Sequence, residues 1–591
     1  MAAVEKLVID HLSLWTAAIK RKSAAGRGSS SRIELYGTKK LRELILELAV
    51  RGLLVPQDPR DEPASELLKK IAAEKARLIK EKKIRNLRPL PVISDDEKLM
   101  PLPAGWGFAR LNDLGDWGAG ATPSRNNPEF YGGNIHWFKS GELIADYISQ
   151  SEETVTELAL EKASLRCNKV GDVLLAMYGA TIGKTAILSV PATTNQAVCA
   201  CTPFSGFENT YLLTLLKAYK SRFIGMGAGG AQPNISREKI IEMIVAVPPN
   251  AEQHRIVAKV NELMALCDRL EQQTDASLSA HQALVETLLN ALTSIPDHSQ
   301  FACAWQRIAE QFDTLFTTGE SIDQLKQTIL QLGVAGKLVP QDSNDEPASE
   351  LLKRISAEKA MLVKAGKIKK EKQLPPVADE EKLFSLPSGW EWCRLENLSL
   401  QSEAGWSPKC EETPRVGDNW AVLKVSAVTW GEFNPAENKA LPPNLDPVPD
   451  YEVKPGDFLI SRANTAELVA RSVVVQDQAP SKLMMSDKII RFKFSQKVCV
   501  PYMSLFNNSG GARRYYLQVA GGTSSSMKNV SRLQIQSLVV ALPPFSEQKR
   551  IVAKVDELMA LCDQLTSRLG GAQTIQLHLA DALTDTALAR A

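Results

Sequence analysis

The chain has 591 residues, 44% hydrophobic and 23% charged, with a formal net charge of +2. That length allows about three or four domains at roughly 150 residues each, and so even a charge gives no bulk attraction to a polyanion or a membrane surface. No apolar run approaches the roughly 18 residues that span a bilayer, and MAAVEKLVIDHLSLWTAAIKRK at the start reads as an amphipathic helix, not a secretory leader.

In chain order, an N-terminal helical arm covers 1–103. Its main helix opens at DEPASELL (61–68), with proline in the first turn and acids at the positive end. It continues through an Ala, Leu, Lys and Glu-rich stretch to about residue 83 and stops at LRPLPV. A globular segment follows over 104–248, rich in Gly, Pro, Asn, Thr and aromatic residues, with β-like runs such as DVLLAMY and TAILSV and a helix at about 209–223. A central helical spacer, 249–386, opens with EQHRIVAKVNELMALCDRL from Glu252. A second globular segment covers 387–543, and a C-terminal helix, 544–591, contains EQKRIVAKVDELMALCDQL from Glu547.

These two helix openings share 16 of 19 residues, and other stretches repeat with them. VPQDPRDEPASELLKKIAAEKARLIK at Val55 returns at Val339, and LPAGWGFARLNDL (102–114) returns as LPSGWEWCRLENL (386–398), both at an offset of 284. KVGDVLL (169–175) answers KPGDFLI (454–460), in each case a turn feeding a buried strand, and VAVPP (245–249) answers VALPP (540–544). The chain is a tandem duplication whose arms and helices are held while the globular segments drift. Ile256, Val260, Leu263, Cys267 and Leu270, with Ile551, Val555, Leu558, Cys562 and Leu565, alternate spacings of four and three, the pattern of a coiled-coil seam. The expected fold is α+β: a tandem pseudo-twofold repeat of two globular domains separated by long antiparallel coiled-coil-like helices. A self-complementary seam can serve both copies about one axis, and nineteen helical residues alone span about 28 Å.

Catalytic constellations are not readable. GATIGKT (179–185) has Tyr178 where a phosphate loop needs its first glycine. LPPF (542–545) has Leu542 where a methyltransferase loop needs a polar residue, and PDYEVK (449–454) lacks the spacing of a metal-dependent nuclease. Six scattered histidines give no metal spacing, and nine cysteines without a CxxC pair read as small apolar residues in a reducing cytoplasm. Cys199 and Cys201 fall on one face of a strand. No catalytic residue, metal site or cofactor is expected on this chain.

Glycine-rich loops in the globular segments carry residues suited to base edges: Arg and Lys for guanine, Asn and Gln for adenine, Ser and Thr for either. They include GAGATPSR (118–125), the stretch from Tyr178 to Lys184, GAGGAQPNIS (227–236), GWSPK (405–409), SRANTAEL (461–468) and GGTSSSMKN (521–529). Lysine and arginine nearly balance aspartate and glutamate in both segments, so no basic footprint accompanies them.

The joint pattern resembles the specificity subunit of a type I DNA restriction-modification system. It is carried by LPxGW…RLxxL at the head of each variable segment, PPxxEQxRIVAKVxELMALCDxL at its end and DEPASELL in both arms. GATPSRNNPEFYGGNIHWFKSGEL (120–143), MYGATIGKTAI (177–187) and SRANTAELV resemble family target-recognition sequence. The resemblance implies two target-recognition domains, each gripping half of a bipartite double-stranded DNA site. It implies helices that set the gap and dock two methyltransferase subunits, with motor-nuclease subunits added for cleavage. SAM, ATP and Mg would sit on those partners, and this chain would catalyse nothing and touch no membrane. The expected DNA contacts are Thr122, Ser124, Arg125, Tyr178, Lys184, Gln232 and Asn234 in the first head. In the second they are Ser407, Lys409, Arg462, Asn464, Thr465, Lys528 and Asn529, while Trp137 and Trp420 are expected in the core. The competing reading is a pseudo-dimeric coiled-coil adaptor that binds proteins and no DNA.

Overall fold

The computed structural model describes residues 10–22, 32–86, 90–98, 101–227, 233–295, 298–370, 373–429, 431–522 and 527–590. It combines helices and sheets, and includes two long helices, Asn250–Ser294 and Phe545–Arg590. Two compact units divide the chain: Met1–Ser277 with Gly571–Ala591, and Leu278–Gly570. Each long helix therefore begins in one unit and ends in the other.

The first unit contains α1 (Tyr36–Val50), α2 (Ala64–Lys80), β1 (Gly107–Arg110), β2 (Gly115–Ala119), β3 (Tyr147–Ile148), β4 (Val173–Ala176), β5 (Thr185–Leu188), β6 (Val198–Pro203), α3 (Asn209–Ala218), α4 (Lys220–Gly227) and β7 (Ile244–Val247). One sheet runs β2-β6-β4-β5-β3, antiparallel except for the β5–β3 edge. The chain enters β4 through KVGD: Gly171 sits at φ +90, and the Asp172 carboxylate accepts from the Lys169 amide at 2.9 Å. Beyond that turn VLLA and TAIL are buried on both faces, which requires an apolar run without alternation. The helix expected over 209–223 is two helices, with Tyr219 turned into the core between them. β1 and β7 pair antiparallel and bring the two ends of the globular segment together. Cys199 and Cys201 are buried and free, and burial pushes the Cys199 thiol up to about 12.

The second unit follows the same plan with α5 (Gly319–Val334), α6 (Ala348–Lys364), β8 (Glu391–Arg394), β9 (Ser399–Ala404), β10 (Phe458–Ser461), β11 (Ala463–Asn464), β12 (Ser472–Val474), β13 (Ile489–Phe494), α7 (Val500–Asn508), α8 (Gly510–Val519), β14 (Lys528–Asn529) and β15 (Val539–Leu542). Its sheet order is β9-β13-β10-β12, and β8 pairs with β15 as β1 does with β7. The KPGD turn repeats the first, with Gly456 at φ +82 and Asp457 accepting from the Lys454 amide at 2.9 Å. PDYEVK is structural: the carbonyls of Asp450 and Glu452 accept from the Arg491 guanidinium at 2.6 and 2.7 Å.

The repeated motifs meet in one joint per unit. In the first, the Glu252 carboxylate is 1% exposed and accepts from Trp106 Nε1 at 3.0 Å and Gln57 Nε2 at 3.2 Å. Gln253 accepts from the Glu208 amide at 2.9 Å, and Arg255 pairs with Asp61 at 2.5 Å. Gly52, at φ +73, leaves no room for a side chain, since a Cβ would lie 2.5 Å from Pro103. The second unit repeats every part: Glu547, 1% exposed, with Trp390 at 3.0 Å and Gln341 at 3.1 Å. Gln548 accepts from the Cys499 amide at 2.9 Å, Arg550 pairs with Asp345 at 2.6 Å, and Gly336 stands against Pro387. VPQDxxDEPASELL, LPxGW and PPxxEQxR are thus three sides of one contact, which ties arm, globular head and long helix.

The seam residues lie in the cores of their own units. Ile256, Val260, Leu263 and Cys267 are buried in one cluster with Leu41, Leu44, Ile45 and Leu48 of α1, and Leu270 is half-buried. Ile551, Val555 and Cys562 are buried with Ile322, Leu325, Ile329 and Leu332 of α5, while Leu558 and Leu565 flank them half-buried. A fully buried side chain of this kind contributes roughly 1.5–3 kcal/mol. Ion pairs rim the contact, Arg42 with Asp268 at 2.5 Å and Glu271 at 3.0 Å, and Lys326 with Asp563 at 2.6 Å. The far end of the second long helix completes the first unit: Ala580 is wholly buried there, and Asp581 accepts from Tyr36 at 2.7 Å and pairs with Lys40 at 2.9 Å.

Burial raises the carboxyls of Glu252 and Glu547 above their ordinary value, against the pull of the hydrogen bonds from Gln57, Trp106, Gln341 and Trp390. The folded state then binds these protons more tightly than the unfolded chain. Their contribution to stability is largest below the ordinary carboxylate value of about 4.3 and falls as pH rises through the raised value. The double variant Glu252→Gln, Glu547→Gln should lose that downward slope when thermal midpoints are compared between pH 4 and 7. An unchanged slope would show that other groups set it.

Candidate nucleic-acid interface

Antiparallel pairing brings alternate strand exits and entries to one end of each sheet. In the first head these are the exit of β2, the turn between β4 and β5, and the entry of β6. β2 leaves through Gly120, where a Cβ would collide with the Thr194 carbonyl, and the Ala121 amide donates to that same carbonyl at 3.0 Å. Thr122 follows, exposed, its hydroxyl donating to Gln196 Oε1 at the entry of β6. The β4–β5 turn carries Tyr178, 40% exposed, and Lys184, whose ammonium faces the Gly141 carbonyl at 3.4 Å. GATIGKT is this turn, with Gly179–Thr181 as a single 3-10 turn. The segment around Asn234 is laced to it: Tyr178 bridges Asn234, the Gly179 amide donates to Pro233 at 2.8 Å, and the Ile235 amide to Met177 at 2.9 Å. Thr122, Tyr178, Lys184 and Asn234 thus gather at one sheet end, with Asn234 exposed. Gln232 lies outside the described residues.

Ser124 and Arg125 are exposed on the loop after Thr122. Arg125 is held by the protein itself, with Glu153 at 2.6 and 3.2 Å and its guanidinium over the Tyr131 and Trp137 rings at 4.5 and 5.2 Å. The Arg125 and Lys139 hydrogen bonds hold the Glu153 carboxyl down to about 2. Trp137 is buried and donates to Ala121 O at 3.1 Å, whereas Trp420 is half-buried.

The second head builds the same end from different side chains. β9 leaves through Gly405, where a Cβ would collide with the Met485 carbonyl. Ser407 follows, its hydroxyl donating to Asp487 Oδ1 at 2.5 Å while the Asp487 amide donates back to Ser407 Oγ at 3.0 Å. Lys409 is exposed beyond it. β10 leaves through Arg462, exposed, whose backbone is fixed between the Lys488 carbonyl at 2.7 Å and the Val530 amide at 3.0 Å. The β11–β14 ribbon pairs Ala463 with Asn529 and Asn464 with Lys528. Asn529 is exposed, and the Lys528 ammonium donates to Gly522 O at 2.6 Å. The Asn464 amide works inward, donating to Thr429 at 3.2 Å and accepting from the Thr465 amide at 2.8 Å; Thr465 then starts the 466–470 turn.

That turn is clamped from behind. Arg513, 9% exposed, donates to the carbonyls of Val469 at 2.5 Å and Glu467 at 3.3 Å. Asn507 donates to Ala470 O at 2.8 Å and accepts from the Tyr516 hydroxyl at 2.7 Å. Burial and the neighbouring Arg471 lower the Arg513 guanidinium to about 10. Ala470 takes the left-handed φ of 59 and is held there by these bonds.

Sequence reading missed Gln196, Asp487, Lys488 and the Arg513 clamp. The first three lie one or two residues before a strand, in stretches without a glycine-rich signal, and only strand register puts them beside Thr122, Ser407 and Arg462. Among the described residues, no group of three or more His, Cys, Asp or Glu side chains could hold a metal ion, and no helix is long and apolar enough to cross a membrane.

A family model described as the type I restriction modification DNA specificity domain matches residues 103–280. Over 99% of its length the chain is 45% identical to the whole of the type I restriction enzyme EcoEI specificity subunit of Escherichia coli. It is 41% identical, again over 99% of the chain and 100% of the relative, to the EcoAI specificity subunit of Escherichia coli. A solved chain from a type I R-M system is 16% identical with a TM-score of 0.48, covering 83% of this chain and 98% of that one.

The clamp generates a local expectation. Arg513→Met removes the donor to two carbonyls, a loss of about 1–3 kcal/mol. Hydrogen exchange should quicken across 462–470 while the β10–β13 ladder stays protected. Unchanged exchange in 462–470 would show that the ribbon alone holds the turn.

Proposed function

The chain belongs to the specificity subunits of type I restriction enzymes, and we propose that its two sheet ends are the two surfaces that read DNA. Each head takes one half of a bipartite double-stranded site. The long helices set the separation of the halves and dock two methyltransferase subunits, to which motor-nuclease subunits are added for cleavage. SAM, ATP and Mg belong to those partners. So does the reaction, methyl transfer to adenine N6, for which the base must leave the stack in the partner's pocket. The observation that carries the reading is the pair of equivalent sheet ends, alike in backbone and different in side chains: Thr122, Gln196, Tyr178 and Asn234 in one, Ser407, Asp487, Arg462 and Asn529 in the other. A surface that recognises two unlike half-sites requires that combination. A protein-interaction adaptor is set aside on the full-length identity to specificity subunits.

The first test is to co-express the chain with its methyltransferase subunit and map N6-methyladenine across the host genome. One bipartite motif with a fixed gap is expected, and exchange of residues 104–248 for those of a relative should alter one half only. Methylation without a bipartite motif, or a change in both halves, would overturn the reading.

Arg462 is exposed at the sheet end on a backbone fixed from both sides. Arg462→Ala should relax discrimination at a single base pair by about 1–3 kcal/mol in methylation of synthetic duplexes by the complex. Equal weakening on every sequence would make it a phosphate contact.

A further inference from the structure

The two heads share a side-chain pair that differs in one chemical respect. In the first ladder Ala119 pairs with Cys199, and in the second Ala404 pairs with Ile490. Each alanine is followed by a glycine, Gly120 or Gly405, whose amide donates to the facing strand and whose bare Cα packs against the segment leading into that strand, and two positions further by a hydroxyl, Thr122 or Ser407. Three positions before Cys199 stands Gln196; three before Ile490 stands Asp487. The hydroxyl donates to that side chain in both heads. Glycine, hydroxyl and backbone register are therefore the same, while the group they orient is an amide in one head and a carboxylate in the other.

Neither group is core. Gln196 is exposed and Asp487 half-buried, at the sheet end that carries Tyr178 and Asn234 or Arg462 and Asn529. Asp487 is ionised at neutral pH: its carboxyl lies below the ordinary value despite partial burial, because Ser407 and Lys488 hydrogen-bond to it and Arg462 is nearby. A carboxylate facing a duplex is repelled by phosphates, and the groups it can accept from are base amino groups. In the major groove an acidic side chain suits cytosine N4, whereas an amide, with acceptor and donor side by side, suits adenine N6 and N7. Arg462, whose backbone amide donates to the carbonyl of the residue after Asp487, is exposed at the same sheet end and carries the guanidinium that suits a guanine edge.

Resting on the proposed function above, we propose that Gln196 and Asp487 are specificity-determining residues, Gln196 selecting an A·T pair in one half-site and Asp487 a C·G pair in the other. Thr122 and Ser407 are their positioning residues, fixing which lone pair remains for the base.

Methylation mapping of the complex carrying Asp487→Asn provides the test. Asparagine keeps the shape and presents the amide of the first head, so one position in the half-site read by 387–543 should shift from C·G toward A·T. On synthetic duplexes the preference at that pair should change by about 10- to 100-fold, with the other half-site untouched. Gln196→Ala should relax one A·T position in the opposite half-site. Folding of both variants is checked by the thermal midpoint of the complex. A variant complex that keeps the wild-type motif and its discrimination at every position overturns the assignment, and so does a uniform loss of methylation on all duplexes. If the wild-type complex yields no bipartite motif, the function proposed above fails first.

Discussion

A carboxylate almost wholly removed from water holds each head to its long helix. Burying a charge is costly unless it is paired and hydrogen-bonded, and Glu252 and Glu547 meet that demand with an indole and an amide drawn from two other parts of the sequence. Losing any one partner leaves the others around an unsatisfied buried group. The joint therefore couples substitutions in three separate motifs, which gives a physical reason for their near identity in both halves.

On that fixed frame the sheet ends are free to vary. Side chains at the exits of β2 and β9 are placed by a glycine in close contact with the segment leading into the facing strand and by strand register, neither of which uses the identity of the neighbouring loop residues. Thr122 and Ser407, or Gln196 and Asp487, can differ in chemistry without disturbing the buried strands behind them. The second head adds a polar clamp, Arg513 and Asn507 on the 466–470 turn, where the equivalent turn of the first is the short Gly179–Thr181 turn. A longer turn exposes more backbone, so it needs donors from behind.

Much of the frame was legible in the sequence. Heptad spacing marked the buried face from Ile256 to Cys267, KxGD marked the entries to β4 and β10, and DEPASELL marked the starts of α2 and α6. Several candidate contacts were legible as chemistry but not as geometry. Arg125 has the right side chain for a guanine edge, yet Glu153, twenty-eight positions away in sequence, engages it together with Tyr131. Asn464 turns its amide inward to Thr429. Gln196 and Asp487 carried no local signal, because only the strand that pairs beside them brings them to Thr122 and Ser407.

The sequence by itself determined the duplication, the order of helical and sheet segments, the apolar face of each long helix and the family. All of these are encoded in local periodicity or in self-similarity along the chain. Tertiary structure alone decided what meets that apolar face, the α1 and α5 helices of the same unit, because periodicity marks a buried stripe without naming its partner. It also decided which loops share a sheet end, since antiparallel register brings together residues such as Thr122 and Gln196 that are seventy-four positions apart. Side-chain type sets what a residue can bind, and the fold sets whether that group is left free to bind it.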